Sequence, residues 1–279
     1  MRVIKADEIT KVVKQLALDA NHDIGESFID LLRRKIKEEK SGIGRSVLEQ
    51  IVENDEIART ENRPMCQDTG LIVCLVEVGY DVHIQGDLYE AINEGVRQAY
   101  DEGLLRKSVV KHPLKRENTN DNTPAITHVK LVSGDKIKIT LAPKGGGSEN
   151  MSLVKMLTPA EGIQDIKDLV LHTIFYAGGK PCPPLVVGIG IGGNLEKSAL
   201  IAKEAIFREI DDVNPDPILD QLERELLQEI NELGVGPMGF GGTTTALAVK
   251  INAYPCHIAS LPVAINLQCH ASRHKTEVI

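Results

Sequence analysis

Three of the five cysteines sit where the chain turns: Cys66 in ENRPMCQDTG, Cys182 in GGKPCPP and Cys269 in NLQCHASRH. Polar and turn-forming neighbours hold a thiol near an exposed face, where its thiolate can act as a nucleophile or a metal ligand. Cys74 lies inside the apolar run LIVCLVEV and reads as a small core hydrophobe, and Cys256, opening AYPCHIAS, is expected to pack as well. No C-x-x-C pair occurs, so neither a zinc ribbon nor a thioredoxin-type site is signalled. Scattered loop thiolates suit an iron–sulfur cluster better than zinc, which wants short-range ligands or His and carboxylate. A four-iron cluster on three cysteines leaves one iron open as a Lewis acid for a carboxylate and a hydroxyl. That chemistry is hydration and dehydration without redox turnover. The spacing alone leaves the alternative open that all three are packing residues.

The second chemical signal is glycine. Gly188, Gly190 and Gly193 spell G-x-G-x-x-G in VGIGIGGN, the spacing of a dinucleotide loop. A strand precedes it and a helix follows, but no second apolar strand ends in an acidic residue about 20 positions on, as that fold requires. A nicotinamide-dependent oxidoreductase is therefore the weaker hypothesis. KGGGSEN (144–150) lacks G-K-[ST], and GPMGFGGTTT (236–245) has glycine where a P-loop needs lysine. Three glycine-dense turns, at 145–147, 188–193 and 239–242, either cradle a small anion with bare N–H groups or serve packing.

The elements that must position these residues follow from periodicity. Ile9, Val12, Val13 and Leu16 share a helical face, as do Phe28, Leu31, Leu32 and Ile36, and the pattern continues through Val47, Ile51 and Ile57. LIVCLVEVGY (71–80) reads as a strand, DLYEAINEGVRQAYDEG (87–103) as a helix, and 107–124 as a polar loop ending in NTP. AITHVKLV and KIKITLAP alternate around Ser133-Gly134-Asp135 and predict a hairpin. A helix over 162–179, the strand PLVVGIGIGG, two further helices and an apolar, strand-like C-terminal stretch complete the chain. The expected class is mixed α/β (α+β), a helical N-terminal part packed on mixed, partly antiparallel sheets. No linker is evident, so residues 1–279 are expected to form one domain, with 1–60 a helical lead-in and 61–279 bearing the cysteines.

Composition excludes other classes. The net charge of −8 and the absence of any Lys/Arg block argue against a nucleic-acid partner. No apolar run approaches the ~20 residues of a membrane span. The start, MRVIKADEITKVVKQLALDAN, lacks a signal peptide's apolar centre. A cytoplasmic address without disulfides is the expectation.

RPMCQDTG, LRKSVV, NTP, KGGGSEN, KPCPP with VGIGIGG, and PCHIASLPVAINLQCHASRH, in this order over residues 60–274, resemble the α subunit or N-terminal region of the class I fumarate hydratase and L(+)-tartrate dehydratase family of iron–sulfur hydro-lyases. The resemblance implies a [4Fe-4S] cluster held by Cys66, Cys182 and Cys269, with one iron not bound by protein. It implies Asp68 and His257 as catalytic residues, and Gln67, Asp68, Arg106, Gly146 and His257 as contacts to substrate, with Asn150 a weaker neighbour. Lys250, His270 and Arg273 fall in matching stretches and receive no role. It implies reversible hydration of a small dicarboxylate in the tricarboxylic acid cycle, fumarate to L-malate, or alternatively dehydration of L(+)-tartrate. The chain stops at Ile279, before the family's C-terminal β region. A β subunit is therefore expected to bring the catalytic base and further substrate-binding residues, in an α2β2-type assembly. A non-catalytic dicarboxylate-binding or assembly subunit is the alternative from another class.

Overall fold

The helical and strand periods organise a mixed α/β chain. In a computed structural model describing all residues, 1–279, the order is β1 (Arg2–Lys5), α1 (Ala6–His22), α2 (Glu26–Glu38), α3 (Gly42–Glu61), β2 (Leu71–Gly79), β3 (Val82–Gln85), α4 (Leu88–Glu102), β4 (Ile126–Val132), β5 (Ile137–Lys144) and α5 (Gly146–Glu149). There follow β6 (Leu153–Leu157), α6 (Ile163–Ala177), β7 (Leu185–Gly192), α7 (Leu195–Ala205), α8 (Pro217–Glu232), β8 (Ala246–Tyr254), β9 (Leu261–Gln268) and β10 (Lys275–Val278). No helix is long and apolar enough to cross a membrane. Two compact units interleave in sequence: residues 1–24, 54–146 and 273–279 form the first, residues 25–53 and 147–272 the second. The last seven residues return to the first unit as β10.

In the first unit, α1 buries Ile9, Val13, Leu16, Ala17 and Ala20, the i, i+4, i+7, i+8, i+11 face of an amphipathic helix. This face meets α4, whose first turn is capped by Asp87 accepting from the Glu90 N–H at 3.0 Å. Beneath them lies a sheet in the order β10-β5-β2-β4. Its core is Ile72, Cys74, Val76, Ile137, Ile139 and Leu141, each side chain fully buried or nearly so and each large one contributing roughly 1.5–3 kcal/mol.

The hairpin expected at 133–135 does not form. β2 lies between β4 and β5, parallel to the first and antiparallel to the second. Burial explains the difference. β2 is mostly buried, whereas β4 is mostly exposed and serves as an edge. The Ser133–Asp135 turn is a true turn, but it carries the chain over the end of β2: Tyr80 N–H donates to Val132 and Asp81 N–H to Gly134.

In the second unit the sheet runs β6-β9-β7-β8, with β7 antiparallel to β9 and parallel to β8. Strand alternation divides β7 between two faces. Leu185, Val187 and Ile189 join a core with Ile166, Val170 and Ile174 of α6 and Leu222, Leu226 and Ile230 of α8. Gly188 and Gly190 point the other way, onto α7. A Cβ on Gly188 would stand 2.3 Å from the Ala202 carbonyl oxygen, and one on Gly190 2.0 Å from that of Ser198. The G-x-G spacing therefore belongs to the strand itself and admits the helix backbone. It is a packing device.

Candidate functional site

The first unit gathers its polar groups around one turn, residues 65–70. Met65 N–H donates to the Asn21 carbonyl at 3.0 Å, and the Asn54 amide donates back to the Met65 carbonyl at 2.9 Å, so the turn is pinned on entry. Cys66 follows, half-buried, with its thiol 3.7 Å from Gln67 Oε1. Gln67 is exposed and Asp68 half-buried. Both Asp68 oxygens are held by backbone: Oδ1 accepts from Gly70 N–H at 3.0 Å, Oδ2 from Gly146 N–H at 2.8 Å. The structure thus brings Asp68 and Gly146 together. The Gly146 N–H expected to meet substrate is engaged by that carboxylate.

Arg273, given no role by the sequence, is buried beside this turn. Its guanidinium donates to the Asp68 carbonyl, and at 3.2 Å to Asn21 Oδ1, while its Nε has no partner. Arg106 reaches the same turn through its backbone: Thr69 Oγ1 donates to the Arg106 carbonyl at 2.8 Å. The Arg106 side chain is exposed and joins none of the salt bridges. Tyr100, fully buried, directs its hydroxyl to the carbonyls of Thr69 (2.5 Å) and Gly70 (3.0 Å), and burial above all raises its phenol pKa. Neither Tyr100 nor Thr69 was legible as a site residue. Their only signal was a polar group in an apolar helix face and a threonine after the D of QDTG.

The second unit places two thiols at one end of its sheet. Val186 of β7 pairs with Gln268 of β9, so Cys182 before β7 and Cys269 after β9 emerge together. The His270 N–H donates to the Cys182 carbonyl at 3.1 Å and closes that link. Cys182 has φ +57°, a left-handed conformation that L-residues with a side chain rarely adopt and that costs about 1–2 kcal/mol. The neighbours hold it there: Cys182 N–H donates to Gly179 at 3.0 Å, and Pro183 accepts from Met238 N–H at 2.8 Å. Cys269 is half-buried, its sulfur 3.7 Å from the Ala271 carbonyl.

His257 stands elsewhere. It lies on an exposed loop between the end of β8 and the start of β9, its Nδ1 accepting from Ala259 N–H at 3.1 Å. The length of β9, about 25 Å at the usual strand rise, separates that loop from Cys269. Asn150 is exposed, while Glu149, beside it in KGGGSEN, is anchored by Lys203 of α7 at 2.6 Å. Lys250 is buried and pairs with Asp212.

The remaining cysteines separate. Cys74 is fully buried and burial pushes its thiol up to about 12, the inert core residue expected. Cys256 departs from expectation: it is exposed, 3.4 Å from the Ser260 carbonyl, because β8 has already ended at Tyr254 and nothing covers the loop. No group of three or more His, Cys, Asp or Glu side chains is gathered into a ready-made metal site. The donor chemistry nonetheless fits a thiolate-ligated cluster. Cys66, Cys182 and Cys269 are half-buried turn thiols, none in a disulfide, and two of them share a strand end.

Residues 10–278 match the family described as Fumarate hydratase (Fumerase). The chain is 45% identical over 273 residues to the putative L(+)-tartrate dehydratase subunit alpha of Methanocaldococcus jannaschii, covering 95% of each. It is 29% identical to L(+)-tartrate dehydratase subunit alpha of Escherichia coli O157:H7, over 98% of this chain and 91% of that one. The corresponding subunit of Escherichia coli strain K12 is 28% identical with the same coverage.

Proposed function

Because the chain belongs to the fumarate hydratase (Fumerase) family, we propose that it is the α subunit of a two-subunit iron–sulfur hydro-lyase acting on a small dicarboxylate, fumarate to L-malate. The observation that carries this reading is the 65–70 turn. It sets a half-buried thiol two residues from a carboxylate whose oxygens are already ordered by two N–H groups, with an unpaired arginine tied to the same backbone. Cys66, Cys182 and Cys269 would hold a [4Fe-4S] cluster, which when bound supplies a Lewis-acidic iron for a carboxylate and a hydroxyl.

This chain's own residues do the rest of its share. Arg106 meets a substrate carboxylate with its planar fork, a geometry that suits two parallel hydrogen bonds. Gln67, exposed beside Asp68 in the turn, supplies an amide donor and acceptor. Asp68 holds or accepts the proton at the substrate hydroxyl. Transfer of the Gly146 N–H from Asp68 Oδ2 to an arriving carboxylate would free that oxygen for the proton. Removing a carbon-bound proton needs a further base, and we assign it to a β subunit, the partner that the name "subunit alpha" carries in the relatives. His257 lies a strand's length from the Cys182–Cys269 end.

The test is reconstitution. The cluster-loaded chain alone should interconvert fumarate and L-malate negligibly, and addition of the β subunit should restore turnover. Full turnover by the isolated chain would sink the two-subunit reading. L(+)-tartrate is the second reading, favoured by the relatives' names. Comparing kcat/KM for fumarate, L-malate and L(+)-tartrate on the assembled enzyme decides between them.

A further inference from the structure

The NTP motif at 122–124 has no part in the chemistry above, yet Asn122 is completely buried in the polar loop that follows α4. Its backbone is left-handed, φ +61°, a region asparagine enters more readily than most residues. The side chain uses both ends. Oδ1 accepts from the N–H groups of Ser108 (2.7 Å) and Val109 (3.3 Å), and Nδ2 donates to the Gly70 carbonyl at 3.1 Å. One amide therefore bridges the segment just after Arg106 to the turn that carries Asp68.

The rest of the segment is fastened in the same way. Leu105 N–H donates to the Tyr100 carbonyl at 3.0 Å, the Arg106 carbonyl accepts from Thr69 Oγ1, and the Lys107 carbonyl accepts from Asn118 Nδ2 at 2.9 Å. Between residues 105 and 109 the backbone is bound on both sides, while the Arg106 side chain is left exposed. A flexible cation needs no such fastening. A cation that must meet a carboxylate at one fixed distance from Asp68 does, since orientation fixed in advance is lost neither on binding nor in the transition state.

We propose that Asn122 is a positioning residue for substrate, holding the Arg106 segment at a fixed offset from the Asp68 turn. The proposal deepens the hydro-lyase reading and rests on Arg106 as the carboxylate-binding residue.

The experiment is a double-mutant cycle in the assembled, cluster-loaded two-subunit enzyme, with Asn122→Gly and Arg106→Ala alone and together. Glycine tolerates the left-handed backbone and removes the bridging amide. The expected result is a KM for dicarboxylate raised about tenfold by Asn122→Gly, with kcat changed less than about twofold. Amide hydrogen exchange of Ser108 and Val109 should become faster by more than the accompanying fall in thermal midpoint explains. In the Arg106→Ala background, Asn122→Gly should add nothing further to KM. Equal effects in both backgrounds would overturn the proposal, since Asn122 would then act on the fold and not through Arg106. If Arg106→Ala raises KM and Asn122→Gly does not, the positioning role fails while the hydro-lyase reading stands. An unchanged KM in Arg106→Ala sinks the carboxylate role and the proposal with it. Should Asn122→Gly not assemble, Thr69→Val removes the bond to the Arg106 carbonyl and is expected to show the same coupling.

Discussion

The two units build their strand ends by different means. In the first, side chains do the scaffolding: Tyr100, Asn122 and Arg273 reach from distant parts of the chain to hold carbonyls of the 65–70 turn, and Thr69 of that turn holds the Arg106 carbonyl. In the second, the backbone scaffolds itself. Cys182 is fixed by main-chain bonds in a left-handed conformation, and the strand behind it lies against bare helix backbone through Gly188 and Gly190. The difference suits what each end is proposed to present. A thiolate ligand needs one sulfur in one place, which a rigid backbone supplies. A carboxylate and an arginine acting on a substrate need relative orientation, and hydrogen-bonded side chains adjust that without redrawing the fold.

If the contrast is right, the second unit should fail sharply at its glycines. Gly190→Ala would put a methyl group 2.0 Å from one helix carbonyl and 2.8 Å from the Ala202 nitrogen, both of them backbone and unable to step aside. A loss of at least about 3 kcal/mol is expected, read as a lower denaturant midpoint. Near-normal stability would mean that α7 yields easily and that the backbone is not the scaffold.

The first unit offers a pH-dependent counterpart in Asp55, buried with neither oxygen hydrogen-bonded. Burial above all, with the charge of Asp23 adding to it and the nearby Asn54 opposing, raises its pKa to about 7. The folded state thus binds this proton more tightly than the unfolded chain. Its contribution is fully present below about pH 4 and is lost as pH rises towards 7. Relative to Asp55→Asn, the native sequence should lose up to about 4 kcal/mol between pH 4 and pH 8. Parallel stability curves for the two proteins would show that Asp55 is not held as an acid.

A smaller effect is expected from Tyr100→Phe, which removes the hydroxyl bonded to Thr69 and Gly70. About 1–2 kcal/mol should be lost, because Gly70 keeps the Asn122 donor while Thr69 does not. Activity should fall more than this stability change explains if the turn orients Asp68. A proportionate change would reduce Tyr100 to a packing residue.

What could be read from the sequence follows the same division. Helical faces were legible because Ile9, Val13 and Leu16 recur at the helical period, and Cys74 was legible as core because its run is apolar on both sides. The hairpin at Ser133–Asp135 misled because strand order is a long-range competition. β2, from much earlier in the chain, is far more buried than β4 and takes the place beside β5 that a hairpin would give to β4. Cys256 misled for the opposite reason: its apolar neighbours belong to a strand that ends before it. The scaffold around Asp68 was not legible at all. Asn122 and Gly70 are 52 positions apart and Arg273 and Asp68 205, and no local pattern announces a hydrogen bond across such distances.

The central claim, that three turn cysteines carry a cluster and the other two do not, is tested most directly by counting iron. The purified chain is reconstituted anaerobically with iron and sulfide, and both are quantified per chain beside single alanine variants of all five cysteines. About four irons and four sulfides are expected in the native chain, in Cys74→Ala and in Cys256→Ala. The count should collapse in Cys66→Ala, Cys182→Ala and Cys269→Ala. Iron retained in full by Cys182→Ala, or lost from Cys256→Ala, would contradict the account.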